Sequence, residues 1–578
     1  MEQLNMIVST ANGVLWGAPM LILMLASGGY FSVRTGFFQV RRAGHWLRQT
    51  VFSKDSRSAS GSNVSPFQAM SSALAATLGT GNIAGVAAAL AAGGAGAVFW
   101  MWVSAVLGMM TGYAENVLGA YYRRRKPDGS WQGGAMYYIR DGLGEKAFAG
   151  RLGKPLAAVF AGACILSAFG MGNIVQMHSA AQAMHTGFGI PEIVTGAVLA
   201  AAAGAVFFSG KKRSGVQRIA AVTEKLVPVM SFLYISAAVF ILAANITRLP
   251  AVFELILRGA FGLEAAAGGV SGYMVKQAVS MGFRRGVFSN EAGLGSSVAA
   301  HAASDVAEPC VLGMWSIFEV FFDTIVMCSM TAFVLLASPC KEITADEAFR
   351  NVSLQPQYFR LTEQDTLITS GAQLLRTGSG DEVRMRTVSG DQLTVQLYGD
   401  GMTCSNVMKL TGVQAQNADG TLLFRDSGAP VIESVTLEEV TGAELMTLAF
   451  STVFGSAAGK LLSAALTLFA FTTVIGWCGF GAQAAEYLFG SRSVLPFRIV
   501  YTALAAVGGM LDFSAAWGIA DMFNGLMAAV NLPVVLILSG TVLRLTRDYS
   551  ARTFARRRKA ALHPVDIQRK MQYNNRKE

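Results

Sequence analysis

Polar and apolar positions follow one another along this chain in long blocks. Apolar stretches of about 20 residues, the length that crosses a bilayer as a helix, are separated by short polar connections. The pattern predicts eleven membrane spans, at about 14–34, 66–95, 97–121, 155–185, 189–209, 222–246, 268–300, 311–338, 458–488, 495–511 and 518–543. The first has neither a basic region before it nor a small-residue cleavage site after it, so we expect it to stay in the protein.

The composition supports the same class and disfavours two others. Of the 578 residues, 52% are hydrophobic and 14% are charged, whereas a soluble domain carries about 25% charged residues. The net charge of +10 does not indicate a nucleic-acid partner, because the basic residues lie mainly in short connections and in the tail. We therefore expect an all-α polytopic protein of the lipid bilayer. The sequence shows no nucleophile–base pairing, metal-ligand spacing or phosphate loop that would indicate an enzyme.

The distribution of Lys and Arg predicts the orientation of the spans. Six occur in residues 34–57, eight in 123–154, five in 211–225, two in 492–498 and eleven in 544–578. With eleven spans, all of these segments fall on one side, which the excess of basic residues marks as the cytoplasm. The N-terminus is then expected outside and the C-terminus in the cytoplasm.

One long polar segment, residues 341–440, interrupts the series of spans. It contains 8 Lys/Arg and 14 Asp/Glu, and the eleven-span arrangement places it outside. LTVQLY and TLLFRD have a strand-like period near Gly-Asp turns, which favours a small β-rich insert over a disordered loop. Cys340 and Cys404 would face an oxidising compartment there, which raises the possibility of a disulfide.

The sequence LGTGN at residues 78–82 is unusual inside a membrane span. Its Gly, Thr and Asn residues weaken a helix, and a break at membrane depth is tolerated only when it is buried in protein or lines a cavity. The freed N–H groups at the start of the second half-helix suit a carboxylate, and the carbonyl groups that end the first half-helix can hold a cation. We expect a binding site for an amino acid and an ion here. Close helix packing explains Gly85 and the Ala/Gly run 87–96 better.

A second break is predicted in the span at 268–300. Its sequence SMGFRRGVFSNEAGLGSS contains Gly282, Gly286, Gly293 and Gly295. Broken spans at equivalent positions of two halves are typical of secondary transporters built from inverted repeats, with the binding site between the breaks. The pattern therefore predicts a 5+5 inverted repeat with one added N-terminal helix.

Six segments are expected along the chain. They are an N-terminal helix with a basic cytoplasmic loop (1–65), a first five-helix repeat (66–246), the start of the second repeat (268–340), the extracytoplasmic insert (341–440), the remainder of the second repeat (441–543) and a basic cytoplasmic tail (544–578).

Other polar residues at membrane depth are few. Asn173 and Gln176 share a helix face and are suited either to an ammonium group or to a helix–helix contact. Glu319 and Asp323 lie one turn apart and are either functional carboxylates or structural ones paired with Thr or backbone groups. The two threonines of FTTVIGW (471–477) are a weak signal alone, because Thr in a membrane helix usually bonds its own backbone.

Six segments together resemble the alanine/glycine:cation symporter family, of the sodium:alanine symporter type. They are LGTGNIAGVA (78–87), GGAMYYI (133–139), GNIVQ (172–176), RGVFSNEAGLGSS (285–297), EVFFDT (319–324) and FTTVIGW (471–477). The resemblance covers both helical blocks but not residues 341–440. It implies a leucine-transporter-like fold with an extra N-terminal helix, and Na+ as the coupling ion.

The resemblance also implies roles for particular residues. Thr80 and Gly81 match the amides that bind a substrate carboxylate, and Asn82 lies beside the substrate. The other residues expected in the pocket wall are Gln176, Gly282, Phe283 and Trp477. The sodium site is expected to combine the carbonyl groups of Ala75, Leu78 and Phe469 with the hydroxyl groups of Thr472 and Thr473.

These inferences predict a sodium-coupled importer of alanine or glycine that works by alternating access. The insert and the large Phe283–Arg284 pair depart from the family pattern and leave open a larger neutral amino acid such as glutamine. Proton coupling through Glu319 or Asp323 is the alternative within transport, and an amino-acid sensor or a channel is the alternative class. Two broken helices around one site argue against a channel, which needs a continuous pore.

Overall fold

The structure, a computed structural model, describes residues 2–554 except for 54–63, 147, 210–214, 263–269, 339–357, 361–371, 377–381, 388–406, 415–422, 425–429, 432–433, 440–441 and 509–512. The predicted pair of Cys340 and Cys404, the predicted strand LTVQLY and the tail beyond Phe554 lie outside the described residues.

Helices make up most of the described chain. In chain order the α-helices are α1 (Glu2–Leu15), α2 (Ala18–Arg34), α3 (Phe38–Arg41), α4 (Ala43–Gln49), α5 (Pro66–Thr77), α6 (Ala84–Gly93), α7 (Gly96–Tyr122), α8 (Ala135–Gly144), α9 (Gly153–Phe169), α10 (Val175–Phe188), α11 (Glu192–Phe208), α12 (Gly215–Ala244), α13 (Leu249–Phe261), α14 (Val270–Asn290), α15 (Val298–Ala302), α16 (Pro309–Val320), α17 (Ser329–Ala337), α18 (Gly442–Phe454), α19 (Ala457–Phe489), α20 (Val494–Val507), α21 (Phe513–Ile537) and α22 (Ser539–Phe554).

A helix lies at each position where the sequence predicts a span. Within the described residues, seven helical stretches are long and apolar enough to cross a membrane, or eight if one bent pair counts as a single span. α11 and α20 stand at two further predicted positions but have only 17 and 14 residues. The chain is therefore a helical, multi-pass membrane protein, while the count of eleven spans, the inverted repeat and the orientation stay predictions.

The first predicted break is present in the structure. α5 begins with a capping box, in which the Ser65 hydroxyl accepts from the Gln68 amide at 3.2 Å and the Gln68 side chain accepts from the Ser65 amide at 3.0 Å. The helix stops at Thr77, and a short 3₁₀ turn, Thr80–Asn82, leads into α6. The two half-helices are bent by 65° at this point.

The second break lies near the end of its predicted span. α14 continues through Gly282 and Gly286 to Asn290, and the non-helical residues that follow include Glu291, Gly293 and Gly295 with φ of 53°, 99° and 72°. Gly282 and Gly286 serve a different purpose, because a Cβ at either would lie within 3 Å of atoms of α7. Two of the four glycines therefore permit close helix packing, and the other two permit the left-handed backbone of the break.

Seven short strands are described between residues 341 and 440, namely β3 (Tyr358–Arg360), β4 (Ala372–Arg376), β5 (Glu382–Thr387), β6 (Val407–Gln414), β7 (Leu423–Phe424), β8 (Pro430–Val431) and β9 (Ser434–Glu439); β1 (Arg124–Arg125) and β2 (Trp131–Gln132) pair elsewhere. Five of them form an antiparallel sheet in the order β3-β6-β9-β5-β4. The boundaries of this insert and its outer location remain predictions.

The core of the helical part has two centres. α7 packs against α14 and α16, and α19 packs against α9 and α10. The first break lies between these centres, because α5 contacts α19 while α6 contacts α14. The fold thus places the break of the second predicted span between α14 and α19, two well-packed helices.

Candidate functional site

The first break is buried and capped by its own side chains. Thr80 is 2% exposed and Asn82 is fully buried. The Gly79 amide donates to Asn82 Oδ1 at 3.1 Å, which satisfies one of the backbone groups that the break releases. A side chain of the break itself therefore satisfies one of the backbone N–H groups that would otherwise be unpaired at membrane depth.

Gln176 from α10 reaches the amide that the sequence assigns to a substrate carboxylate. The backbone N–H and the hydroxyl of Thr80 both donate to Gln176 Oε1, at 3.4 and 3.2 Å. The Gln176 Nε2 group in turn donates to the Met171 carbonyl at 3.3 Å, beside the π-helical turn Gly170–Ile174. A carboxamide oxygen thus occupies the position at which the break offers a hydrogen-bond donor.

Gly81 leaves space on the other side of the same turn. Among the described residues, leaving out the chain neighbours of Gly81, a Cβ added there would meet only the Phe288 ring within 4 Å, at 3.8 Å. Phe288 stacks on Trp517 with ring centroids 5.3 Å apart, and the Arg285 guanidinium lies 5.8 Å from both ring centroids. The space beside Gly81 is therefore bounded by an aromatic wall formed by α14 and α21.

Three of the oxygens predicted to bind sodium meet where α19 passes the first break. The Thr473 hydroxyl lies 3.4 Å from the Leu78 carbonyl oxygen and 3.1 Å from the Phe469 carbonyl oxygen. The Thr472 hydroxyl donates to the same Phe469 carbonyl at 2.9 Å but also lies 3.3 Å from Met230 Sδ. Ala75 is fully buried one turn before Leu78. The oxygens of Leu78, Phe469 and Thr473 form an uncharged set of ligands that suits a small cation.

Gly79 connects this oxygen cluster to the Thr80 amide. A Cβ at Gly79 would lie 2.9 Å from Thr473 Oγ1 and 3.1 Å from Gln176 Oε1. Any side chain there would push away one of these two groups. Glycine at this position therefore lets the candidate ion site and the candidate carboxylate site lie side by side.

Trp477, which the sequence predicts in the pocket wall, contacts the second break. Its indole N–H donates to Glu291 Oε1 at 3.2 Å, and Glu291 also accepts from the Ser296 hydroxyl. Trp477 is fully buried against Gly172, where a Cβ would collide with the indole side chain. Trp477 therefore links α19 to both the π-helical turn Gly170–Ile174 and the residues after Asn290.

The structure does not bring Gly282 and Phe283 to the turn at Thr80. Gly282 packs against Ala97 and Trp100 of α7. The Phe283 ring pairs with Trp100 at 5.8 Å between centroids and lines a small apolar cavity with residues of α2 and α7. Phe288, one and a half turns later on α14, is the phenylalanine that approaches Gly81.

Asn82 connects the first break to the carboxylate of Asp323. Its Nδ2 group donates to Asp323 Oδ1 at 2.8 Å and to the Ser289 hydroxyl at 2.9 Å. Asp323 Oδ2 accepts from the hydroxyls of Ser289 at 2.6 Å and Thr324 at 2.9 Å. Asp323 lies on a π-helical turn, Phe321–Cys328. No Lys, Arg or His side chain among the described residues lies within ion-pair distance of it.

Sequence reasoning missed several residues around the site. Arg285, Phe288 and Ser289 all fall in the quoted segment RGVFSNEAGLGSS, but the phase of α14 decides which of its residues turn inward. Asp521, on α21, attracts Arg285. The presence of a basic residue in one predicted span and an acidic residue in another was the sequence signal that could have predicted this attraction.

The sequence of this chain is similar to those of known transporters along nearly its whole length. The model of the sodium:alanine symporter family matches residues 1–360 and 422–563. The unmatched residues are 361–421, within the predicted insert, and 564–578, at the end of the predicted tail. The chain is 34% identical over 547 residues to an uncharacterized transporter of Haemophilus influenzae, and the alignment covers 94% of this chain and 96% of that relative.

Two named relatives carry a sodium/amino-acid description. A sodium/alanine symporter of Methanococcus maripaludis is 33% identical, with 94% of this chain and 97% of the relative covered. A probable sodium/glutamine symporter of Bacillus subtilis is 31% identical, with 97% and 93% covered. The family consists of symporters, which are transporters and not enzymes. On this evidence, the chain belongs to the sodium:alanine symporter family.

Proposed function

We propose that this protein couples the entry of Na+ to the uptake of a small neutral amino acid, alanine or glycine, by alternating access. The observation that carries the proposal is the adjacency of two complementary groups in one helix break. The Leu78 carbonyl is 3.4 Å from the Thr473 hydroxyl, and the Thr80 amide, two residues later, is a donor held by a side-chain oxygen 3.4 Å away. One turn of chain thus offers oxygens to a cation and an N–H group to a carboxylate.

The ion is proposed to bind between the Leu78 and Phe469 carbonyls and the Thr473 hydroxyl, with Ala75 and Thr472 completing the site. Such a site contains no charged residue, and a zwitterionic substrate adds no net charge that would need a second ion. Because its ligands come from α5 and α19, the ion stabilises the arrangement in which these helices are together. An ion that favours the substrate-binding arrangement raises substrate affinity, and the substrate raises ion affinity by the same factor.

The substrate carboxylate is proposed to bind the amides of Thr80 and Gly81, with Asn82 beside it. Gln176 Oε1 now accepts from Thr80, so it would act as a stand-in for the carboxylate and would turn away when substrate enters. The positive end of α6 adds to the attraction of the anionic group. The Phe288 ring bounds the space beside Gly81, which supports a small substrate side chain such as that of alanine or glycine.

Glutamine remains the main rival substrate, since one relative at 31% identity is named a sodium/glutamine symporter. Proton coupling is the second candidate mechanism, and Asp323 favours it. This carboxylate is fully buried, is hydrogen-bonded to Asn82 of the break, and has no basic partner among the described residues. A buried carboxylate without a counter-charge tends to hold a proton or a cation.

We also propose that the protein lies in a bacterial inner membrane with its N-terminus outside and its C-terminus in the cytoplasm. The distribution of basic residues supports this orientation. The insert at 341–440 would then lie outside the cell, between the start of the second repeat (268–340) and its remainder (441–543).

Uptake of radiolabelled alanine into proteoliposomes tests the proposal. One set of vesicles receives an inward Na+ gradient, a second receives choline in place of Na+, and a third receives an inward proton gradient without Na+. We expect accumulation only in the first set, reduced by unlabelled glycine more than by unlabelled glutamine. Accumulation in the third set would show that the proton, not Na+, is the coupling ion. Stronger competition by glutamine than by glycine would show that glutamine is the preferred substrate.

A further inference from the structure

The segment that follows α2 has an exposed face that the proposed transport site does not use. α2 ends at Arg34, and the chain turns at Gly36 and Phe37, whose φ angles are 68° and 54°. α3 then packs against α7, and α4 packs against α16. Trp46 of α4 is buried, and its ring lies 5.8 Å from that of Phe321. One face of this segment is therefore fixed to the helical core, while the other face points away from it.

The exposed face of residues 33–52 combines basic and apolar side chains, and we call it the basic surface. Its four arginines, all exposed, are Arg34, Arg41, Arg42 and Arg48. Phe37, Val40 and Phe52 are exposed beside them, with Phe52 at 73%. Large apolar side chains among basic ones are typical of segments that lie in the plane of the membrane interface.

The place of the basic surface along the chain puts it at the edge of the lipid. The stretch Thr10–Arg34 is long and apolar enough to cross a membrane, so residues 35–52 follow directly on the end of a span. The four arginines then lie at the depth of the phospholipid headgroups. The exposed side chains of Phe37, Val40 and Phe52 can enter the adjoining acyl region.

The basic surface has no acidic partner within the described part of the chain. Residues 3–54 contain no Asp or Glu, and none of the four arginines lies within ion-pair distance of a described carboxylate. The connection at 123–154 differs, because Arg124 and Arg140 both pair with Asp141, and Lys126 pairs with Glu486. The bias of basic residues toward one side of a membrane explains their presence, but it does not supply the missing negative charge.

Two of the four arginines lie close enough together to act on one ligand. Burial, and then the positive charges of Arg42 and Arg48, lower the pKa of His45, which lies between them in the sequence. His45 Nε2 is 2.8 Å from the Tyr549 hydroxyl, and the Arg42 guanidinium lies 4.0 Å from the centroid of the Phe554 ring. α22 therefore borders the basic surface. The potential at this border is positive and attracts an anion.

We propose that the basic surface binds the headgroup of an anionic phospholipid, with its arginines on the phosphate group and its apolar side chains against the acyl chains. Arginine suits this role, because its planar guanidinium donates two parallel N–H bonds to phosphate oxygens. The charge complementarity selects an anion, and the exposed Phe37, Val40 and Phe52 select a lipid over a soluble anion. This inference does not depend on the substrate, the coupling ion or the orientation of the protein.

The test uses the purified full-length protein in a neutral detergent, without substrate. Phosphatidylglycerol or phosphatidylcholine with identical acyl chains is added, and native mass spectrometry measures the fraction of protein with bound lipid at each concentration. Each basic residue near an anionic lipid surface contributes about fivefold in affinity, so we expect phosphatidylglycerol to bind at least about tenfold more tightly than phosphatidylcholine. Equal affinities for the two lipids would overturn the proposal.

Arg41→Gln/Arg48→Gln removes two positive charges from the basic surface and is expected to lower the affinity for phosphatidylglycerol at least about fivefold. Arg151→Gln/Lys154→Gln is the matched control, because it removes two exposed basic residues of another connection and should lower that affinity less than about twofold. Equal losses in the two variants would show a general effect of charge and would rule out this site. If the first variant does not fold, Arg34→Gln/Arg41→Gln takes its place with the same expected result.

Two further measurements establish that the bound molecule is a lipid. Inorganic phosphate at the highest lipid concentration used should not release bound phosphatidylglycerol, and release would assign the surface to free phosphate instead. The thermal midpoint should rise with phosphatidylglycerol but not with phosphatidylcholine, because a ligand that binds only the folded protein stabilises it. That rise should be smaller in Arg41→Gln/Arg48→Gln. A native midpoint that is unchanged at saturating phosphatidylglycerol would contradict binding to the folded surface.

Discussion

The Thr473 hydroxyl lies 3.4 Å from the Leu78 carbonyl oxygen, across 395 positions of sequence. This distance joins the middle of α19 to the end of the first half of a broken helix. Thr473 also contacts the Phe469 carbonyl at 3.1 Å on its own helix, so its hydroxyl is the oxygen that the two helices share. An ion at this position would hold the break against α19.

Thr473→Ala is expected to raise the sodium concentration needed for half-maximal uptake, because it removes the shared oxygen. The substrate concentration needed at saturating Na+ should change less. Sodium titrations of alanine uptake into proteoliposomes measure both quantities. Thr473→Ser keeps the hydroxyl and should behave nearly as the native protein.

Thr472→Ala provides a graded comparison on the next residue. Its hydroxyl contacts Phe469 and Met230 but no group of the first break, so we expect a smaller rise in the sodium requirement than for Thr473→Ala. If the double variant Thr472→Ala/Thr473→Ala requires the same sodium concentration as the native protein, Na+ does not bind at this site. Asp323 would then be the next candidate ligand.

Gly81→Leu is expected to abolish alanine binding without preventing membrane insertion. Among the described residues, leaving out the chain neighbours of Gly81, a Cβ there would meet the Phe288 ring at 3.8 Å and no other group within 4 Å. The space beyond is that proposed for the substrate. Gly81→Ala adds a Cβ at an ordinary contact distance and should weaken binding only in part. Equilibrium binding of labelled alanine to the purified variants tests this order. Native affinity in a well-folded Gly81→Leu protein would show that the substrate binds elsewhere.

The first break was predictable from the sequence because its signal is local. Two glycines next to Thr and Asn weaken a helix in an apolar span, so residues 79–82 alone predicted a loss of helix. The bond between Thr80 and Gln176 was not predictable in the same way, because it joins residues 96 positions apart. The π-helical turn Gly170–Ile174 also changes the phase of the helix that carries Gln176, and no residue type specifies that turn.

The second break shows why glycine counts were insufficient. Gly282 and Gly293 occur in one short segment, yet the first permits close packing against α7 and the second adopts a φ of 99°. The family resemblance, and not the glycine pattern, assigned Phe283 to the pocket. Because α14 remains helical to Asn290, Phe283 faces Trp100 and Phe288 faces the break. In one continuous helix these two phenylalanines, five positions apart, point to different sides.

Labelling from outside the cell is expected to reach the insert but not the C-terminal helix. In a background with Cys340 and Cys404 replaced by Ser, a membrane-impermeant thiol reagent should label Ala418→Cys in intact cells. Ala551→Cys, at the exposed end of α22, should be labelled only after the cells are opened. The opposite result would reverse the orientation inferred from the basic residues.

Arg123→Gln is expected to lower the stability of the protein by about 3 kcal/mol, because charge-assisted hydrogen bonds to buried carbonyls are lost. The Arg123 guanidinium donates to the carbonyls of Ala302 and Ser304, at 3.2 and 2.7 Å, and stacks 3.9 Å from the Trp131 ring centroid. Denaturation of the purified protein measures the change. Arg125→Gln, an exposed residue over the same ring, is the control and should have a much smaller effect.

Equilibrium binding of labelled alanine to the purified native protein tests the central claim most directly, because it needs neither a gradient nor a membrane. The measurement compares saturating Na+ with the same concentration of choline, at fixed pH. If an ion bound by Leu78, Phe469 and Thr473 orders the amides of Thr80 and Gly81, Na+ should raise alanine affinity about tenfold or more, a coupling of the usual size for linked sites. Thr473→Ala should lose most of that gain. Equal alanine affinity in Na+ and in choline, in a protein that binds alanine, would contradict the account.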